Sequence, residues 1–341
     1  MQVFDGHNDA LSRLWKTEGD PVQAFESGGH VSLSAAREGQ LIGGFFAIFS
    51  SGSREMFDFS AFRPTGDALP VAGPLDQQLA LRDATEQAGL ALALERAGAL
   101  KICHSGQDLD AAFADKTLAC ILHLEGADCI DHDLLVLDLL HGAGLRSLGP
   151  VWSRPTDFAE GVPFVWGQDG DTGDGLTDLG RTLVRRCQQL GIILDTSHLT
   201  LRGFWDMAEM GVSMVATHSN AFAITPTTRN LTDAQLRAIG ETGGMAGLNF
   251  GTLFLSKLGW TDLHATTDDM IRHLAHMIEV AGEDHVGLGS DFDGAPMPQG
   301  IASAADLPHL IDAMRAADFG EGLIEKLCKD NWLAFLKRQL S

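Results

Sequence analysis

"VFDGHNDAL", residues 3–11, is an apolar run that ends in an imidazole and a carboxylate. Read as a strand, its period-2 geometry puts Val3, Asp5, His7 and Asp9 on one face, with His7 and Asp9 adjacent along it. A strand buried in a core has no ordinary use for two such groups aimed the same way. The construction recurs. Strand-like runs stand at 2–6, 41–49, 118–124, 145–151, 192–196, 213–217, 243–249 and 286–290. Amphipathic helical stretches separate most of them, at 75–97, 132–142, 176–190, 200–210, 232–240 and 266–281. Thr177, Thr200 and Thr232 occupy N-cap positions, and Gly191, Gly211 and Gly282 follow helix ends.

Eight β-runs alternating with helices predict an α/β fold, a (β/α)8 TIM barrel formed by residues 1–341 as a single catalytic domain. A doubly wound open sheet is the alternative that strand counting leaves open. The run ends favour the barrel. They carry His7-Asn8-Asp9, Glu125, Ser197-His198, His218-Ser219-Asn220, Asn249 and Asp291-Phe292-Asp293. A parallel barrel gathers such ends on one face, where catalytic groups sit. The connections at about 50–74 and 152–175 are long enough for lids or substrate walls. The Asp/Gly run 169–175 lacks the spaced ligands and terminal Glu of a calcium loop, and reads as solvated.

Composition narrows the partners. Hydrophobic residues make up 45% and charged residues 21%, which suits a globule with a full core. A formal charge of −22, from 24 basic and 46 acidic residues, offers no cationic footprint for nucleic acid. No apolar run is long enough to span a membrane, and no leader-like segment opens the chain. Five cysteines without CxxC spacing read as reduced, buried thiols, so the expected location is the cytoplasm.

Among 13 histidines most have bland readings, and His30, His104, His141, His264, His273, His276, His285 and His309 receive no role. His7, Asp9, Glu125, His198 and His218 form a joint pattern: three imidazoles and two carboxylates, all from strand ends. Imidazole with carboxylate suits zinc or a neighbouring first-row divalent metal. Five ligands exceed one open catalytic zinc and fit two metals. His7 and Asp9 would serve one, His198 and His218 the other, with Glu125 bridging. No lysine occurs between residues 117 and 256, so a carboxylated lysine cannot be the bridge. Two metals would hold a hydroxide between them and polarise the carbonyl it attacks. Asp291 is then placed to move the proton to the leaving amine. Asp5 reads either as a carboxylate supporting the ligands or as a cap for the first loop.

With these residues assembled, the chain resembles the membrane (renal) dipeptidase family of zinc peptidases, family M19, in its soluble bacterial branch. The resemblance is carried by DGHNDAL (5–11), HLEGAD (123–128), LGIILDTSH (190–198), ATHSNA (216–221), RNLTDAQLRAIGETGGMAGLNF (229–250) and HVGLGSDFDG (285–294). It implies a metal-dependent, amidohydrolase-type barrel with two zinc ions. It also implies hydrolysis of dipeptides, including those with a D-residue at the C-terminal position, and often a homodimer. His7 and Asp9 match ligands of the first metal, Glu125 the bridge, and His198 and His218 ligands of the second. Arg229 matches the arginine that holds the substrate carboxylate, and Asp291 the acid credited with proton transfer. One departure stands out: in GPVWSRP (149–155), Trp152 occupies the place of a family histidine thought to assist the substrate carbonyl. Either Trp152 shapes the pocket, or the chain acts on a related amide such as an N-acyl-amino acid or a cyclic amide. A third reading is a metal-binding protein that has lost catalysis. Arg154, next along, either reaches into the site to favour an acidic side chain or lies in a solvated loop.

Overall fold

A computed structural model describes residues 1–55, 73–256 and 264–340. Nine strands are present among them: β1 (Val3–Asn8), β2 (Leu41–Phe49), β3 (Leu100–Ile102), β4 (Leu118–Glu125), β5 (Leu145–Gly149), β6 (Ile193–Leu194), β7 (Val215–Ala216), β8 (Met245–Leu248) and β9 (Val286–Leu288). All pairings between them are parallel, in the order β6-β5-β4-β2-β1-β9-β8-β7. A parallel bridge between Asp195 and Val215 joins the two ends, and Thr196 N donates to Val215 O at 2.8 Å. The sheet is therefore a nearly closed eight-stranded barrel, not a doubly wound sheet. The short β3 pairs with β4 outside the circle; three residues, LKI, gave too little pattern to read.

The helices expected from periodicity are present, within a few residues at their ends, and their caps are local chemistry. Thr177, Thr200 and Thr232 accept from Gly180 N, Gly203 N and Gln235 N, so each satisfies an amide the helix itself leaves unpaired. Gly191 ends its helix at φ 68°, a conformation that costs a residue with a Cβ. Several further helices went unread, among them Ala10–Lys16, Gly106–Ala114 and Asn331–Gln339. The last closes the barrel floor. Trp332 packs with Phe4, Phe45, Ile121, Ile193, Val215 and Met245 inside the barrel. Its Nε1 donates to Leu288 O at 2.8 Å, and a Cβ at Gly6 or Gly287 would collide with the indole.

Strict alternation fails in β1. Phe4 faces the barrel interior, whereas Val3 packs in the outer, helix-covered core. The pairing of β1 with β2 shifts register between Asp5 and Asn8, and an irregularity of this kind re-aims side chains. Val3, Asp5, His7 and Asp9 thus do not share one face. Asp5 turns sideways to the end of β9, accepting from Ser290 N at 2.7 Å and Ser290 Oγ at 2.8 Å, and from His7 N at 3.3 Å. It ties the first loop to the last strand and does not touch an imidazole.

Candidate metal centre

The C-terminal strand ends meet above the barrel core. Glu125 is the last residue of β4, and Trp152 follows β5. His198, His218 and Asp291 lie just past β6, β7 and β9, and Arg229 is in the long connection after β7. His198 Nε2 and His218 Nε2 lie 3.0 Å apart, and 3.0 and 3.5 Å from Glu125 Oε1. From the other side His7 Nε2 lies 3.8 Å from the same oxygen and 3.5 Å from Asp9 Oδ2. Glu125 therefore stands between a His198–His218 pair and a His7–Asp9 pair.

Three groups of donors converge closely enough to hold a cation: Glu125 with His198 and His218; His7 with Asp9 and Asp291; and His7 with Asp195 and His218. In the third, Asp195 already serves other partners: its Oδ1 accepts from Ser197 N, Ser197 Oγ and Thr217 N, and its Oδ2 from Thr217 Oγ1. The first two share the site without competing, which is a binuclear arrangement. The second includes Asp291 with the expected first-metal pair. Asp291 holds φ 58°, and its Oδ2 accepts from Asn249 Nδ2 at 2.9 Å.

Electrostatics fit a bound cation. Burial pushes the Glu125 carboxyl up to about 8 and drives His198 and His218 well below the ordinary imidazole value. Both imidazoles are neutral and offer lone pairs. Burial also disfavours charge on His7, but Glu125, Asp9 and Asp291 outweigh it and lift the group to about 10. Buried carboxylates so outnumber cationic groups here that they need positive charge, and divalent metals supply it. Among the described residues neither ring nitrogen of buried His7 has a hydrogen-bond partner, and Nε2, which faces Asp9 and Glu125, is the nitrogen open to a metal. The two donor groups are thus consistent with a binuclear metal site.

Arg229 is buried beside it. Its Nη1 donates to Ser197 O and to Ser219 Oγ at 3.0 Å, and its Nη2 to His218 O at 3.1 Å. Among the described residues Nε has no partner, so Nε–H and one Nη2 proton remain, a fork that matches a carboxylate. Burial lowers the Arg229 pKa to about 10, which leaves it charged. Trp152 packs against Phe49 and Phe164, with ring centroids at 5.3 and 5.6 Å, and stands 5.9 Å from His198. Phe164 continues to Phe254, on which the Arg229 guanidinium rests. An aromatic wall thus runs beside the second imidazole pair to Arg229. The loop 152–175 supplies part of it; residues 56–72 of the other long connection lie outside the described residues.

Arg154 corrects both of its readings. It is buried, with Nε 2.7 Å from Asp128 Oδ1 and Nη2 donating to Ser50 O. Its charge is committed to Asp128, which sits 26 positions earlier in the chain, so it is neither solvated nor free for an acidic substrate.

The sequence profile of the membrane dipeptidase family (peptidase family M19) matches residues 1–340. The chain belongs to that family. A metallopeptidase from Rhodobacter sphaeroides, solved with a phosphinate mimic of the dipeptide L-Ala-D-Ala, is 46% identical; the match covers 99% of each chain with a TM-score of 0.94. An "uncharacterized protein in pqqA 5′region" of Klebsiella pneumoniae is 42% identical over 242 residues, 71% of this dipeptidase-family chain and 89% of its own length. An "uncharacterized dipeptidase" of Schizosaccharomyces pombe is 30% identical over 322 residues, 91% of this chain and 73% of its own length.

Several residues that shape the site were not singled out in the sequence: Asp195, Thr217, Ser153, His123, Phe164 and Phe254. Asn249 was named only as the polar end of a strand run.

Proposed function

We propose that the protein is a binuclear zinc dipeptidase that cleaves dipeptides with a free C-terminal carboxylate, L-Xaa-D-Xaa substrates included. The observation that carries this is Glu125 standing between two imidazole-containing donor groups beside a buried arginine fork. The R. sphaeroides relative bound to a dipeptide mimic supports the substrate class. His7, Asp9 and Glu125 would hold one metal, with Asp291 within reach, and Glu125, His198 and His218 the other. Metals held by these residues would supply Lewis-acid polarisation of the scissile carbonyl and a lowered pKa for the attacking water.

The remaining work falls to the chain. Arg229 grips the substrate carboxylate through Nε and Nη2 and so fixes where the peptide bond lies. Asp291, whose pKa is raised by burial and then by the Asp9 charge, takes a proton as water adds to the carbonyl carbon. It returns that proton to the nitrogen as the C–N bond breaks, releasing two amino acids. Trp152 can donate one hydrogen bond but takes up no proton. Proton transfer therefore rests on Asp291, and Trp152 forms part of the apolar wall.

Five buried free cysteines support a reducing, cytoplasmic setting. No helix among the described residues is long and apolar enough to cross a membrane. A homodimer is the assembly the resemblance suggests, and sedimentation tests it.

The decisive experiment measures zinc per chain together with turnover of L-L and L-D dipeptides, before and after chelation. Two zinc ions and a chelator-sensitive dipeptidase activity are expected. Two metals with no turnover of any dipeptide would overturn the substrate class and point to N-acyl-amino acids or cyclic amides.

A further inference from the structure

Asp195 lies beneath the imidazoles, buried, and touches none of the proposed ligands directly. Its Oδ1 accepts from Ser197 Oγ at 2.6 Å, Thr217 N at 2.9 Å and Ser197 N at 3.1 Å. Its Oδ2 accepts from Thr217 Oγ1 at 2.6 Å, and that hydroxyl is 2.8 Å from His218 Nδ1. A hydroxyl has one proton, and a carboxylate can only accept. The Thr217 proton therefore goes to Asp195, and Thr217 Oγ1 must accept from His218. The imidazole proton is then on Nδ1, and the Nε2 lone pair faces Glu125. Ser197 Oγ cannot reverse this order. It lies 3.2 Å from Thr217 Oγ1, but its own proton is committed to Asp195, and it accepts the His218 N–H at 3.2 Å.

We propose that Asp195 is a positioning residue: acting through the Thr217 hydroxyl, it locks His218 in the Nδ1–H tautomer and so presents Nε2 for ligation. Nothing else among the described residues bonds that Nδ1. A neutral imidazole can otherwise carry its proton on either nitrogen, and a proton on Nε2 would point at the place where a metal must bind. The consequence for metal affinity rests on the binuclear reading above; the tautomer itself does not.

Asp195→Asn tests the direction of the chain. Three donors crowd Oδ1, so the amide oxygen stays on that side and the amide NH2 faces Thr217. The new NH2 then donates to Thr217 Oγ1, Thr217 donates to His218 Nδ1, and the imidazole proton moves to Nε2. Thr217→Val removes the relay with little change in volume and releases the proton to either nitrogen. Thr217→Ser keeps the hydroxyl and serves as the rescue. The readouts are 15N chemical shifts of the His218 ring in the full chain stripped by chelator, and Zn2+ affinity measured in competition with a chelator.

We expect Nδ1–H in the unsubstituted chain and in T217S, Nε2–H in D195N, and a mixture in T217V. Zinc binding should weaken by about ten- to a hundredfold in D195N and T217V and recover in T217S. A proton on Nε2 in the unsubstituted chain overturns the proposal, as does one still on Nδ1 in D195N. If D195N does not fold, the spectrum of the unsubstituted chain and the T217V–T217S pair decide. An unsubstituted chain with the expected tautomer but no affinity for zinc would instead defeat the metal reading and leave the lock standing.

Discussion

The two sides of the barrel are built differently. β2 and β4 run beside each other through seven consecutive register pairs, from Gly43–Ala119 to Phe49–Glu125. β6 and β7 have two residues each and meet through a single bridge. Glu125 is thus delivered by the backbone of a long strand, whereas His198 and His218 lie past the ends of two-residue strands. Side chains take over there: Ser153 Oγ meets His198 Nδ1 at 2.8 Å, and the Asp195–Thr217 pair holds His218. The β1–β9 seam lies between these extremes: one register pair and a further Asn8–Phe292 bridge, braced by Asp5–Ser290 above and Trp332 below. Where the ladder is short, buried polar networks reinforce it, and these networks also orient the proposed ligands.

The sharpest way to break the comparison is at its shared point. Glu125→Gln keeps the strand and its ladder while removing the carboxylate that stands between the two donor groups. The expected result is a loss of at least about a thousandfold in kcat/KM with less than two zinc ions per chain and a folded barrel. Metal analysis beside the kinetics checks it; unchanged metal content would mean Glu125 is not the bridge. Trp332→Ala attacks the weak seam instead. Truncating a fully buried tryptophan costs about 3–5 kcal/mol, read from denaturant unfolding, and a change below about 1 kcal/mol would show that the floor does not support the β1–β9 seam. Asp291→Asn lies between these cases. It should lower kcat by about a hundredfold or more while zinc stays bound, because only proton transfer is removed. Loss of metal along with turnover would make Asp291 a ligand first.

What could be read from sequence divides along the same line. The strand ends and the three threonine caps were legible because their signal is local: a polar group after an apolar run, or a hydroxyl before a helix. Asp195 and Thr217 were not, since each sits inside a strand-like run and acquires its role only when two separate loops meet. Arg154 was misread for a related reason, its partner Asp128 being remote in sequence. The face assignment in β1 failed because a register shift, invisible to periodicity, turns His7 inward. The C-terminal helix was unread, and the need for glycine at Gly6 and Gly287 becomes plain only once its Trp332 is in place against them.

His273 extends the side-chain clamp to the connection that carries Arg229. Its Nδ1 accepts from Ala221 N at 3.1 Å, and its Nε2 lies 3.0 Å from Thr225 Oγ1. Because Nδ1 must accept, a second proton has no place, and burial pushes the pKa down to about 3. The unfolded chain takes up that proton near 6.5 and the native chain does not. Between these values the unfolded state binds more protons, so stability falls as pH drops from 6.5 toward 3, by up to about 1.4 kcal/mol per pH unit. His273→Gln should flatten that slope in unfolding curves between pH 6.5 and 4; parallel slopes would remove His273 from the acid response.

The smallest effect concerns Thr232, a threonine whose task is purely local. It caps the helix Asp233–Glu241, accepting from Gln235 N while Gln235 Oε1 accepts from Thr232 N at 3.0 Å. Thr232→Ala leaves the Gln235 amide without its cap and should cost about 1 kcal/mol of stability. Thr217→Val should behave in the opposite way, weakening zinc binding more than it weakens the fold. Both residues are threonines using one hydroxyl, yet one satisfies its own helix and the other carries a carboxylate's influence to an imidazole across the barrel seam. If T232A loosened zinc as much as T217V does, hydroxyls near the site would matter only for general rigidity, and the division between ladder and side-chain network would fail.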